Sequence, residues 1–267
     1  MQPIDTAICT ALLRGVTDQL QSSMRPPAAG ADTASLIRTV LQASAWAKET
    51  LQRALRAQFP EVAWSDAEFD LERQRSPQTA GAYWVYDPID GAYHFAQGLP
   101  LWSSSLAMVD AGKPAHSFVY DPAQKEIFTA SAGEGTRLNG IVQRPPGKTD
   151  LASAVVGTAV PPIRGPEGAT VPRALRSIEK VAGKVFVVRM MASASLQLAY
   201  VAAGRLDAYW EYGSDLYDWM AGAHLASEAG ATVTDCTGHD FTFGAEGVLA
   251  SSTHLHASLL DTINASN

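Results

Sequence analysis

The second half of the sequence alternates between segments typical of strands and segments typical of helices. Short apolar runs, which favour strands, occupy residues 154–157, 185–188, 206–210 and 232–234. Apolar residues at helical spacing lie between them, over residues 172–181, 193–203 and 219–229. Because every strand or helix must bury its apolar face against another element, this alternation predicts sheets covered by layers of helices.

The first half begins with helices and continues with strands. Helical spacing predicts helices over residues 4–22 and 33–58, and strands are predicted over residues 62–64, 83–86, 105–109, 115–120 and 126–130. Residues 140–150 are polar and rich in Pro and Gly, which predicts a boundary between an N-terminal α+β half, 1–145, and a C-terminal α/β half, 146–267. The predicted fold class is therefore an α/β (α+β) layered sandwich.

The composition narrows the classes of function. The chain has 267 residues, of which 46% are hydrophobic, and a formal net charge of -7. An acidic chain is a poor candidate for binding nucleic acid, whose phosphates attract Lys and Arg. Its two cysteines, Cys9 and Cys236, make no disulfide framework, and neither a signal peptide nor an apolar run of roughly 18 residues is visible. We therefore expect a cytoplasmic protein without a membrane segment.

The pentapeptide DPIDG, residues 87–91, directly follows the predicted strand over 83–86. It carries two carboxylates, Pro88 restricts the backbone between them, and Gly91 allows the chain to approach a ligand closely. Carboxylate oxygens suit Mg²⁺, and the free N–H groups of a helix that starts after Gly91 would face an anion. The motif predicts a site for a divalent metal and phosphate; the alternative is a plain Asx-Pro turn that caps a helix.

Two groups of segments carry a resemblance to a known family. The first contains DPIDG with Phe95, the sequence YDP at 120–122 and GTRLNG at 135–140. The second contains LAYVAAGRLDAYWE at 198–211, DWMAGA at 218–223 and EAGA at 228–231. In this order they resemble the inositol monophosphatase family over roughly residues 35–250. The resemblance implies an αβαβα fold like that of inositol monophosphatase and fructose-bisphosphatase, and a homodimeric, Mg²⁺-dependent phosphomonoesterase for a small phosphorylated substrate.

The resemblance also implies a set of metal ligands. Asp87, Asp90 and Asp218 match the family's metal-binding carboxylates, and Ile89 would add its backbone carbonyl. Asp87 and Asp90 are thereby also expected to be catalytic. From the residues alone, Asp218 has a second interpretation, as the N-cap of the helix that follows it.

The residues expected to contact phosphate or substrate come from both halves. The resemblance implies that Gly91 and Ala92 offer backbone N–H groups to the phosphate, and that Glu211 contacts a substrate hydroxyl. Ser193, preceded by Ala where the family has Gly, is expected beside the substrate, as is Asp218.

The sequence departs from the family pattern at positions that activate the attacking water. Ala92 stands where the family has Thr, and Ser44 stands where the first long helix of the family has an Asp that partners this Thr. The family's upstream acidic pair is replaced by a segment in which either Asp66 or Glu68 could bind the metal; the choice between them stays open, and Glu68 is also a candidate catalytic residue.

These departures leave three hypotheses. The first is an active Mg²⁺-dependent phosphatase for inositol monophosphate or a related sugar or polyol phosphate, with a modified way of activating water and a reduced activity. The second is a catalytically weakened paralogue that binds metal or a phosphorylated ligand and acts as a binding or regulatory protein. The third is a phosphatase for a nucleotide or sugar bisphosphate.

Overall fold

The computed structural model describes residues 3–25, 32–145, 147–162, 165 and 167–265. These residues form two β-sheets and a set of α-helices that pack in alternating layers. The helices are α1 (Thr6–Ser23), α2 (Thr33–Gln58), α3 (Ala92–Ala96), α4 (Val171–Ala182), α5 (Ala194–Ala202), α6 (Leu216–Ala229) and α7 (Thr253–Asn264). The strands are β1 (Ala63–Trp64), β2 (Tyr83–Asp90), β3 (Ser103–Asp110), β4 (Lys113–Asp121), β5 (Glu126–Ser131), β6 (Gly135–Leu138), β7 (Ile141–Val142), β8 (Val155–Thr158), β9 (Val187–Met190), β10 (Ala208–Glu211), β11 (Thr232–Thr234) and β12 (Val248–Ser251).

Helices α1 and α2 form the first layer, and an aspartate caps the start of each. The Oδ1 atom of Asp5 accepts from the N–H groups of Ala7 and Ile8 at 2.9 and 3.2 Å, and that of Asp32 accepts from the Ser35 N–H at 2.8 Å. The two predicted helices are confirmed to within two residues. Residues 26–31, which connect the two helices, lie outside the described residues.

The larger sheet has seven strands in chain order, β1 to β7. Strand β1 runs parallel to β2, and each later pair of neighbours is antiparallel. Successive side chains of β2 point to opposite faces, so that Trp84 and Tyr86 pack against α1 and α2, whereas Tyr83 and Val85 pack towards α5 and α6. Burial on both faces explains why this strand reads as a continuous apolar run.

The smaller sheet has the strand order β11-β12-β10-β8-β9. Tyr209 faces α5 and α6, and its neighbour Trp210 faces the outer pair α4 and α7, where its Nε1 donates to Ser177 Oγ at 2.9 Å. The layers are therefore helices, sheet, helices, sheet, helices, which confirms the predicted αβαβα sandwich. The division into halves at residues 145 and 146 stays a prediction, since α5 and α6 pack against both sheets.

Several predicted elements shift, and three strands and one helix were not predicted. Strand β9 begins two residues later than expected because the Val185 N–H still bonds to the Val181 carbonyl at 3.1 Å and closes α4. Helix α6 begins at Leu216 with Asp215 at its N-cap position, so the interpretation of Asp218 as the N-cap is wrong. The elements that were not predicted are β6, β7, β12 and α7. Within the described ranges, no helix has the length and apolar character needed to cross a membrane.

Candidate metal and phosphate site

A β-bulge in β2 turns the two aspartates of the DPIDG motif to one side. Asp87 pairs with Ser105 and Asp90 with Ser103, so three steps along β2 match two along β3. In a regular strand, residues three apart point to opposite faces, and the extra residue corrects this. Pro88, which has no N–H to donate, is tolerated within the bulge. Both aspartates thus belong to strand β2, although the sequence predicted them beyond the end of a strand over residues 83–86.

The carboxylates of Asp87, Asp90 and Asp218 meet at one point. One oxygen from each lies within 4.8 Å of the others. Burial raises the pKa of each, and neighbouring carboxylates raise the pKa of Asp87 and Asp218 further. A divalent cation would offset both the burial of these charges and their repulsion. Three convergent carboxylate oxygens are also the ligands that Mg²⁺ prefers, so these residues fit the implied metal.

The first residues of α5 hold Asp90 in place. Its Oδ2 atom accepts from the Ser193 hydroxyl at 2.8 Å, from the Ser195 N–H at 2.8 Å and from the Ser195 hydroxyl, and its Oδ1 accepts from the Ala194 N–H at 3.2 Å. The Ser193 hydroxyl also accepts from the Leu196 N–H at 3.0 Å and so caps the helix. Ser193 therefore orients Asp90, and its expected contact with substrate stays a prediction.

A cavity of about 160 Å³ opens beside the three aspartates. Since one water takes up about 30 Å³ in the liquid, this space has room for a phosphate group. Most of the residues predicted for metal and phosphate line it, namely Glu68, Asp87, Ile89, Asp90, Gly91, Ala92 and Asp218. The residues predicted to bind metal and those predicted to bind phosphate thus line the same cavity.

Of the two upstream acids, Glu68 lines the cavity and Asp66 does not. Glu68 is 7% exposed, and its Oε1 accepts from the Ser44 hydroxyl at 2.9 Å. The Asp66 side chain is 67% exposed and lies 3.4 Å from the Lys48 ammonium. This placement favours Glu68 as the upstream acid, although the ligand role of either residue stays a prediction.

Glu211 does not line the cavity and instead contacts Trp219, the residue after Asp218. Its Oε2 accepts from the Tyr209 hydroxyl at 2.6 Å and from Trp219 Nε1 at 2.9 Å. Burial raises the pKa of Glu211 from its usual 4.5 to about 7. Its expected contact with a substrate hydroxyl stays a prediction and requires a substrate that extends past the cavity.

Replacing Glu211 by Gln should remove a pH dependence from the stability of the metal-free protein. The folded pKa of about 7 exceeds the usual 4.5, so the stability that protonated Glu211 supports at low pH is lost as the pH rises through 7. We expect the free energy of unfolding of the wild type, relative to Glu211→Gln, to fall by on the order of 2 kcal/mol between these pH values. Urea unfolding measures this, with the exposed Glu134→Gln as control; parallel wild-type and Glu211→Gln curves would contradict it.

Asp215 is a cavity residue that sequence reasoning missed. It lines the cavity, burial raises its pKa to about 7, and its Oδ1 is buried without a hydrogen-bond partner in the described part of the chain. The available signal was its position three residues before Asp218, the spacing that also separates Asp87 from Asp90. Ser195, which also holds Asp90, carried no such signal, and Ser193 was singled out only as a substrate contact.

Replacing Gly91 by Ala should destabilise the fold. Gly91 has φ 93°, and an added Cβ would lie 3.0 Å from the Leu101 carbonyl oxygen and 3.1 Å from Trp102 Cβ. We expect a loss of about 1–3 kcal/mol in the free energy of unfolding, measured in urea. Gly81→Ala is the matched control because an added Cβ there meets nothing within 4 Å. Equal losses for the two variants would refute the prediction.

A layered αβαβα sandwich with buried aspartates beside a phosphate-sized cavity defines a metal-binding phosphatase class. The sequence model of the inositol monophosphatase family matches residues 1–267, and the chain belongs to this family. It is 38% identical over 218 residues to "Nus factor SuhB" of Pseudomonas aeruginosa, covering 81% of this chain and 79% of that protein. It is 37% identical over 187 residues to "Inositol-1-monophosphatase" of Rhizobium meliloti, covering 69% of each.

Solved structures show the same fold. The inositol monophosphatase of Anabaena (Nostoc) sp. PCC 7120 superposes with a TM-score of 0.80 at 24% identity, over 96% of this chain and 94% of that one. An inositol monophosphatase from Thermotoga maritima superposes with a TM-score of 0.79 at 25% identity, over 99% of this chain and 97% of that one. The recognition of the family and its fold from the sequence is thereby confirmed.

Proposed function

We propose that the chain is a Mg²⁺-dependent phosphomonoesterase that hydrolyses inositol monophosphate or a related small sugar or polyol phosphate. One observation carries the proposal: the carboxylates of Asp87, Asp90 and Asp218 converge within 4.8 Å at a cavity that also exposes Gly91 and Ala92. Relatives named inositol-1-monophosphatase support it. A homodimer and a cytoplasmic location are parts of the same proposal.

The metal would be held by the three aspartates and by the backbone carbonyl of Ile89. When bound, it supplies positive charge to the phosphate oxygens and acidity to a water molecule. Because Ser193 and Ser195 fix the orientation of Asp90, that ligand is positioned before the metal arrives. Such preorganisation lowers the cost of assembling the site.

Phosphate and water would be handled by the remaining cavity residues. Gly91 and Ala92 donate backbone N–H groups to the phosphate at the start of α3. The Oε1 of Glu68 accepts from the Ser44 hydroxyl, and its Oε2, which lies 3.9 Å from the Lys48 ammonium, is the oxygen that would accept a proton from the attacking water. Burial raises the pKa of Glu68, and a higher pKa makes its carboxylate a better base at neutral pH.

Phosphate release is the direct test. The wild type should release phosphate from inositol 1-phosphate or another sugar monophosphate in Mg²⁺, and a chelator should stop it. Failure to release phosphate from any monoester, together with measurable binding of Mn²⁺ or phosphate, would overturn the proposal. A clear preference for bisphosphorylated substrates would instead support the bisphosphate hypothesis.

A second candidate function is that of a weakened paralogue with a binding or regulatory role. The observation that favours it is the methyl group of Ala92 and the lone hydroxyl of Ser44, which both line the cavity where the family resemblance implies Thr and Asp. Relatives named "Nus factor SuhB" are consistent with a regulatory role. Binding of phosphorylated ligand without turnover would support this candidate.

A further inference from the structure

Helix α2 brings two side chains to Glu68. Ser44 and Lys48 are four residues apart and therefore lie on the same face of the helix. The Ser44 hydroxyl donates to Glu68 Oε1 at 2.9 Å, and the Lys48 ammonium lies 3.9 Å from Glu68 Oε2 and 3.4 Å from Asp66 Oδ1. Both oxygens of the Glu68 carboxylate thus face groups that belong to the chain itself.

The charges around the cavity are unevenly distributed. Its carboxylates come from Glu68, Asp87, Asp90, Asp215 and Asp218, and no Lys or Arg of the described residues lines it. Among the described residues, the Lys48 ammonium forms an ion pair with this set, through Glu68 Oε2 at 3.9 Å. The Lys48 side chain is only 22% exposed, so solvent screens this contact less than it would at the surface.

We propose that Lys48 is the built-in cation of the Glu68 side of the site and takes the place of a divalent ion there. The catalytic metal is then confined to the carboxylates of Asp87, Asp90 and Asp218 and the backbone carbonyl of Ile89. A further divalent ion bound to Glu68 Oε2 would meet the positive charge of Lys48 beside the same oxygen, and like charges at that distance repel. This inference rests on the metal site described under the proposed function.

The role of Lys48 differs from that of the other paired lysine near the first layer. Lys125 forms an ion pair with Asp18 at 2.8 Å, but its side chain is 62% exposed and it does not line this cavity. Removing the charge of Lys125 changes a surface pair only. It is therefore a matched control for removing the charge of Lys48.

Counting bound Mn²⁺ in the full-length chain by electron paramagnetic resonance tests the proposal. Lys48→Gln should bind one more Mn²⁺ per chain than the wild type, or bind its weakest ion at least tenfold more tightly, because Glu68 and Asp66 lose their cation. Lys48→Arg, which keeps the charge, and Lys125→Gln should match the wild type. Adding Glu68→Gln to Lys48→Gln should abolish the gain.

A second arm does not depend on the Lys48 variants. Glu68→Gln alone should leave the number of bound Mn²⁺ ions unchanged, because in the wild type the cation beside Glu68 is Lys48. Loss of an ion in Glu68→Gln, equal binding by wild type and Lys48→Gln, or no Mn²⁺ binding by the wild type would each overturn the proposal. Phosphate release is measured separately, so a wild type that binds Mn²⁺ without turnover refutes the phosphatase and leaves the ion count to decide on Lys48.

Discussion

Replacing Asp90 by Asn should reduce kcat/KM for phosphate release by about 10³-fold or more. Asn removes one of three convergent negative charges and so weakens the hold on the metal. It also replaces one carboxylate oxygen by an NH₂ group. In the wild type the Asp90 oxygens accept hydrogen bonds from Ser193, Ala194 and Ser195. The new NH₂ group would therefore either face one of these donors or point towards the metal. Initial rates in saturating Mg²⁺, together with Mn²⁺ affinity, measure the effect.

The matched control for Asp90→Asn is Asp121→Asn. Asp121 is also a buried aspartate, at 3% exposure, and burial raises its pKa. Its Oδ1 accepts from the N–H groups of Ala123 and Gln124 at 2.9 and 3.0 Å, bonds that an Asn oxygen can keep, and it does not line the cavity. Its activity should stay within a few-fold of the wild type. A loss in both variants, or near-normal rates for Asp90→Asn, would remove Asp90 from the catalytic set.

The layered fold was predictable because the apolar patterns in the sequence match the faces that the strands and helices bury. Strand β2 is buried on both faces, and its sequence over residues 83–86 is apolar throughout. Helix α7 and strand β12 were missed although both are well formed. Strand β12 has four residues, too few for periodicity alone to separate a strand from a loop. Strand β8 is equally short but was identified because it belongs to the alternation of strands and helices.

The site was predictable only in part, because its supporting contacts join distant segments. Asp87 and Asp90 lie in one motif, so their shared role could be inferred, but the bulge that turns them to one side depends on pairing with β3. The bonds from Ser193 and Ser195 to Asp90 span 103 and 105 residues. Composition and spacing carry no information about such contacts. The same holds for Lys48, which meets Glu68 through the packing of α2 beside β2.

The second large effect is an expected increase in kcat. Ala92→Thr combined with Ser44→Asp should raise kcat by on the order of 10²-fold, within the usual range for a positioned proton-transfer group. Both residues line the same cavity, so the introduced hydroxyl and carboxylate would face the attacking water together. Lys48, one turn after Ser44 on α2, offers a cation to the new carboxylate. Steady-state kinetics on inositol 1-phosphate in Mg²⁺ measure the gain.

The gain should depend on the pair, because a hydroxyl without a carboxylate has nowhere to pass its proton. Ser44→Asp alone removes the 2.9 Å bond to Glu68 and adds a like charge beside it, so we expect no gain from that variant. Ala92→Val combined with Ser44→Asp has the shape of the Thr variant without its hydroxyl, and should not exceed Ser44→Asp. A double-mutant cycle then isolates the coupling between the two positions. Additive effects, or an equal gain with Val, would show that Glu68 already activates the water and that Ala92 is not where activity is lost.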